Sequence, residues 1–143
     1  MVFREITFGS NEYRLECGLR NAVLREPLGL SLTVEELAKE EDHLHFGLFE
    51  PGGDLLACVV VVRLSPTEAR IRQMAVSPIH QRRGLGTRVM NDLESSLRSR
   101  GFTNFVLHAR ASAVGFYEKL GYSVTGEEFM DVTVGHFRME KAV

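Results

Sequence analysis

The chain has 143 residues, 44% of them apolar and 25% charged, with a formal net charge of −2. That size and apolar share suit one folded domain over residues 1–143, and the charge balance gives no reason to expect nucleic acid or a membrane surface as partner. Two cysteines, Cys17 and Cys58, make no disulfide framework, and the sequence holds no Cys/His set with metal-ligand spacing, so no metal is expected.

The N-terminal MVFREITFGSNEYR has no long apolar segment before a cleavage-like site, which makes a cytoplasmic protein the expectation. Within it FREITF alternates apolar and polar residues as a short strand does. From Tyr13 to Arg25, apolar Leu15, Leu19, Ala22 and Val23 recur at helical spacing until Pro27 and Gly29 stop the pattern. Thr33 and Glu36 have capping-box spacing and predict a short second helix through Ala38. HLHFGLFE alternates again, and PGGD reads as a hairpin turn. LLACVVVVRL is apolar on both faces and predicts a central strand, and ARIRQMAV follows it after the Ser65-Pro66 turn. Together these three strands predict an antiparallel meander.

Beyond Pro78, Leu85, Val89, Leu93 and Leu97 lie four apart and form one apolar helical stripe, ended by Gly101. NFVLHA is a further strand, so a strand, a helix and a strand predict a right-handed crossover and a parallel pair. Residues 112 to 120 form a third helical segment closed by Gly121, and YSVTGEEF and VTVGHFRM predict a terminal antiparallel pair. The fold class is α/β in the mixed-sheet (α+β) sense, with a largely antiparallel sheet, one parallel pair and flanking helices.

Gln81, Arg82, Arg83, Gly84, Leu85, Gly86 and Thr87 stand at the mouth of the long helix. The first turn of a helix has unpaired N–H groups and a positive dipole end. Glycines let backbone approach a bulky anion, and arginines add charge-assisted contacts. An anion nest with a phosphate load follows; the competing reading is a tight turn with solvent-facing arginines. No Gly-Lys-Ser/Thr makes this a Walker loop, and the pattern is not GxGxxG.

QRRGLG resembles the Q/R-x-x-G-x-G/A signature of the GNAT superfamily of N-acetyltransferases, and ASAVGFYEKLGY resembles that family's second signature. The preceding strand RQMAV and the Ser77-Pro78 loop fit the same order. RNAVLRE and GEEFMDVTVGHFRM are similar to the small ElaA-like members. The resemblance implies a GNAT-like acyl-CoA N-acyltransferase fold in which two parallel strands splay apart and acetyl-CoA, as cosubstrate, enters the gap. It implies that Met74, Ala75 and Val76 offer backbone groups to the pantetheine arm, and that residues 81 to 87 hold the diphosphate. Ser112, Phe116 and Lys119 come next to the coenzyme by the same match. Many members carry asparagine where this chain has Arg110, which cannot accept a hydrogen bond but can reach a phosphate or a substrate carboxylate. Tyr117 matches the tyrosine often found near the coenzyme sulfur, where its phenol is a proton donor to the leaving thiolate; the bland alternative is a packed tyrosine.

The amine must be neutral to attack, so a base is needed. Of five histidines, His108 borders the expected cleft and His136 sits where the ElaA-like pattern also has histidine; Gln73 can orient water or amine. Glu127, Glu128 and Asp131 are candidates to bind a cationic amine at the rim. The acceptor is a small-molecule or peptide amine, and a homodimer is compatible with the pattern. Competing functions are a coenzyme A-binding sensor or interaction module of the same fold and, more distantly, a nucleotide-binding protein.

Overall fold

Alternation in FREITF yields a short edge strand, β1 (Val2–Glu5), paired antiparallel with β2 (Leu44–Phe49). The computed structural model describes residues 1–131 and 133–143; Val132, the first residue of the VTVGHFRM stretch, lies outside the described residues. The predicted meander forms as β2, β3 (Leu55–Arg63) and β4 (Glu68–Val76). After the crossover, β5 (Asn104–Arg110) lies parallel to β4, and β8 (Val134–Ala142) pairs antiparallel with β5. The expected strand YSVTGEEF is instead two short pieces, β6 (Ser123–Val124) and β7 (Phe129–Asp131), both on the far edge of β8. Gly126, at φ 98°, turns the chain between them. Among the described residues eight strands make one sheet, ordered β1-β2-β3-β4-β5-β8-β6 with β7 beside β6 on β8.

One face of the sheet carries α3 (Leu85–Ser99), whose Leu85, Val89, Leu93 and Leu97 are all buried as their spacing predicts. They meet Leu56, Ile71, Phe105 and Leu107, the inward residues of alternating strand positions. Each such side chain contributes about 1.5–3 kcal/mol by leaving water, so this stripe fixes α3 against β3 and β4. α4 (Val114–Lys119), preceded by a 3-10 turn over Ala111–Ala113, lies on β5 on the same side.

The opposite face carries α1 (Asn11–Arg20), capped by the Ser10 hydroxyl, which accepts from the Tyr13 N–H. The structure corrects the expected apolar stripe here. Leu15 is 50% exposed and Ala22 is exposed, while Tyr13, Glu16 and Arg20 are buried. Polar side chains point inward because they bond to one another beneath the sheet, as described below. The helix also stops being α at Arg20, continuing as a π turn (Asn21–Arg25) and a 3-10 turn (Glu26–Leu28). Asn21 Oδ1 accepts from the Leu32 N–H at 2.7 Å, and Arg110 Nη2 donates to the Leu24 carbonyl at 3.0 Å, tying the widened turn to the loop and to β5. Thr33 caps α2 (Val34–Ala38) by accepting from the Glu36 N–H, as its spacing predicts.

Candidate active site

The parallel pairing of β4 and β5 runs from Glu68↔Asn104 to Ile71↔Leu107 and ends there. Both strands continue, β4 to Val76 and β5 to Arg110, so beyond Ile71 they diverge. A bulge in β4 drives the divergence. Cys58 pairs with Ala75 and Val60 with Arg72, so Gln73 and Met74 together stand opposite Val59. Gln73 takes φ 53°, a left-handed conformation uncommon for a side-chain-bearing residue and a feature of functional sites. The resulting cleft of about 560 Å³ is lined from both faces of the sheet: Met74, Gly86, Phe116 and Tyr117 on the α3 side, and Leu24, Arg72, His108 and His136 on the α1 side.

At the α3 end, Arg82 and Gly84 both take left-handed φ, 66° and 73°, and α3 begins at Gly84 without a side-chain cap. The N–H groups of its first turn are therefore left for an external acceptor. Gly86 eases a close approach: a Cβ there would sit 3.2 Å from Phe116 Cζ, a tight contact that the ring would have to yield to. Arg82, Arg83 and Thr87 are exposed beside this entrance, while the Leu85 side chain is in the core and only its backbone faces outward. Gln81 Nε2 donates to the Val76 carbonyl at 3.2 Å and ties the turn to the end of β4. An uncapped glycine entrance flanked by two arginines fits a diphosphate.

At the α1 end, His108 and His136 flank the Phe129 ring, at centroid distances of 5.0 and 5.9 Å. Their hydrogen bonds fix different tautomers. Arg70 Nη2 can only donate, so His108 Nδ1 accepts from it at 2.8 Å and a neutral His108 carries its proton on Nε2. Burial and the neighbouring Arg70 both hold the His108 pKa below the ordinary imidazole value. The carbonyl of Val134 can only accept, so His136 Nδ1 donates to it at 2.8 Å; in the neutral ring Nε2 is then the acceptor, and it has no partner among the described residues. His136 is 8% exposed and lines the cleft.

Beneath the bulge lies a charge network. Arg20, wholly buried, donates from Nε to Gln73 Oε1 at 2.7 Å, from Nη1 to Glu16 and Glu40 at 2.8 Å each, and from Nη2 to Glu40. Tyr13 donates to Glu40 at 2.8 Å. His45 meets a Glu16 carboxylate oxygen at 2.9 Å and the Glu40 carbonyl at 3.0 Å, two acceptors, so both ring nitrogens donate and the imidazole is cationic. Burial lowers the His45 pKa, but the bond to Glu16 and its charge outweigh that and the net shift is upward. Two carboxylates thus face two cations. Glu16, Glu40 and His45 lie close enough to suggest a metal site, but the Arg20 guanidinium already occupies the space between the two carboxylates. The network orients Gln73: its oxygen is taken by Arg20, which leaves its NH₂ as a donor.

Tyr117 lines the cleft, its ring edge-on to Phe116 and Tyr122, and its hydroxyl makes no hydrogen bond among the described residues. Burial pushes its phenol up to about 12. The structure thus brings Gln73, Met74, Ala75, Val76, Gln81, Gly86, His108, Arg110, Phe116, Tyr117 and His136 to one cleft. Ser112 and Lys119 are exposed and lie outside its lining, as do Glu127 and Glu128. The residues that sequence reasoning passed over are Arg70 and Arg72, and the Arg20 network. ARIRQM carried the signal for the first two, since its alternation puts both arginines on one strand face.

The model of the acetyltransferase (GNAT) domain family matches residues 32–143. The chain belongs to this family. Its fold matches that of Escherichia coli ElaA at a TM-score of 0.82 and 17% identity over 99% of each chain. It matches a GNAT family acetyltransferase from Elizabethkingia anophelis with acetyl-CoA bound at 0.75 and 14%, over 99% of this chain and 97% of that one. At these identities the likeness shows the GNAT fold and not the ElaA-like branch. Among curated relatives, the protein YyaT of Bacillus subtilis (strain 168) is 32% identical over 75 residues, 52% of this chain and 51% of that protein. The chain spans about half the length of the curated relatives it matches. Among the described residues no helix is long and apolar enough to cross a membrane.

Proposed function

We propose that the protein transfers an acetyl group from acetyl-CoA to a primary amine, by direct attack while both are bound. The observation that carries this reading is the gap between β4 and β5, open at one end onto an uncapped helix entrance and at the other onto a histidine with a free acceptor nitrogen. Backbone N–H groups of α3, with Arg82 and Arg83, hold the diphosphate. The arm lies beside Met74, Ala75 and Val76, and a main-chain N–H at the bulge stabilises the charge that grows on the thioester oxygen.

The two histidines take different parts. His136 is the base, because its Nδ1 is held by the Val134 carbonyl and its Nε2 has no partner among the described residues, while His108 has its acceptor nitrogen committed to Arg70. Gln73, as a donor, positions the amine or a water and does not take a proton. Tyr117 supports the leaving sulfur. Burial raises its phenol to about 12, which makes it a weak acid, so its part is to donate a hydrogen bond to the departing sulfur. The similarity of RNAVLRE and GEEFMDVTVGHFRM to ElaA-like members supports, within this proposal, a kinship with the small acetyltransferases. The test is release of free coenzyme A thiol from acetyl-CoA across a panel of amines. Amine-dependent release supports the reading; saturable coenzyme binding with no release from any amine would leave a binding module of the same fold.

A further inference from the structure

The α1 end of the cleft carries more fixed positive charge than acetyl transfer requires. Arg70 and Arg72 are two apart on β4, before the bulge, and share a face about 7 Å apart. The β5 and β8 registers put His108, Arg110 and His136 on that same face. Arg25, Arg70, Arg72 and Arg110 all line the cleft, against Asp131 as its one carboxylate among the described residues. Partly buried guanidinium groups are ordinarily paired with carboxylates. Arg25 has such a partner, Glu36 at 3.3 Å. Arg110 spends its bond on the Leu24 carbonyl and Arg70 on the His108 ring. Among the described residues Arg70, Arg72 and Arg110 have no carboxylate within salt-bridge distance, and Arg72 has no side-chain hydrogen bond. Arg70 Nε is buried and has no hydrogen-bond partner among the described residues.

We infer that the acceptor amine bears an anionic group, a carboxylate or a phosphate, gripped by Arg70 and Arg72 while its amino group faces His136. This rests on the acetyltransferase reading. The planar fork of arginine matches both anions through paired N–H donors. Burial lowers the pKa of both arginines, so each gains from an incoming negative charge. The two lie on the far side of the bulge from Met74–Val76, away from the entrance assigned to the diphosphate. A polycationic amine would meet like charges in the same space.

The test pairs matched acceptors with arginine variants. Thiol release is compared for β-alanine, its neutral amide and 1,3-diaminopropane, and for 2-aminoethyl phosphate against ethanolamine; the two sets separate carboxylate from phosphate. The anionic member of a set is expected to have a kcat/KM about tenfold or more above its neutral match. Arg72→Gln should erase that margin and Arg72→Lys restore part of it. In parallel, arginine Nε–H signals are followed by NMR in the coenzyme A-bound protein as acetate or inorganic phosphate is added. Saturable shifts at Arg70 and Arg72 with one of the two anions are expected. Preference for the neutral or cationic members, unchanged in Arg72→Gln, overturns the inference and leaves acetyl transfer standing. If no amine releases thiol, the transferase reading falls, and the arginine signals alone decide the anion site: no saturable shift with either anion overturns it.

Discussion

Replacing Arg20 by methionine removes the one guanidinium that touches Glu16, Glu40 and Gln73 together. In the native protein two buried carboxylates are balanced by Arg20 and a cationic His45; in Arg20→Met one counter-charge serves both. Breaking a buried pair from one side costs about 3–5 kcal/mol, because the remaining charge is left out of water without a partner. For a chain of this length the unfolding entropy is about 0.3 kcal/mol per degree, so the melting temperature should fall by about 10–17 °C. Adding Glu40→Gln restores the balance between Glu16 and His45. The double variant should therefore recover at least about 1 kcal/mol over simple addition of the two single losses. Calorimetric melting of the four proteins decides it. A fall under about 3 °C for Arg20→Met, or losses that simply add, would refute the charge-balance argument.

Tyr117→Phe should lower kcat about tenfold to a hundredfold, the worth of one hydrogen bond to a charged sulfur, with little change in the KM for acetyl-CoA. A matching rise in KM would mean that Tyr117 serves only binding. His136→Gln should lower kcat/KM about a hundredfold or more, the worth of a general base, whereas His108→Gln should cost about tenfold or less; the reverse pattern would exchange their roles. His45 should titrate above about 6.5 in an NMR experiment. Because its folded pKa is raised, the stability drawn from its pairing with Glu16 is full below the unfolded value and fades as pH rises through the folded one. The stability difference between the protein and His45→Gln, read by urea unfolding, should shrink over that range; a difference that grows with pH would contradict the cationic assignment.

The sequence was most legible where one physical rule acted alone. Leu85, Val89, Leu93 and Leu97 had only to be apolar at helical spacing to place α3, and the apolar run of β3 had only to be buried on both faces. The glycine entrance was readable for the same reason: a left-handed φ favours glycine at position 84, and the close approach of Phe116 favours it at 86. Reading failed where long-range pairing overrode local pattern. Leu15 looked like core and is outside, because Glu16 and Arg20 find partners from Glu40, His45 and Gln73 that no window of sequence reveals. The bulge at Gln73 is a mismatch of register between β3 and β4, so it has no signature in ARIRQMAV. Likewise the histidine spacing could not rank His108 against His136; the tautomers are set by Arg70 and by the Val134 carbonyl.

Binding of coenzyme A at the head of α3 underlies every catalytic role assigned above. Isothermal titration of the protein and of Gly86→Val with coenzyme A, with ATP as a competitor, tests it most directly. A Cβ at position 86 already stands 3.2 Å from Phe116 Cζ, so the further methyl groups of valine would crowd the Phe116 ring and the entrance. The account predicts one saturable site in the native protein, insensitive to equimolar ATP, and an affinity at least about tenfold weaker in Gly86→Val. No saturable heat in the native protein, or equal affinity in the two, would contradict it.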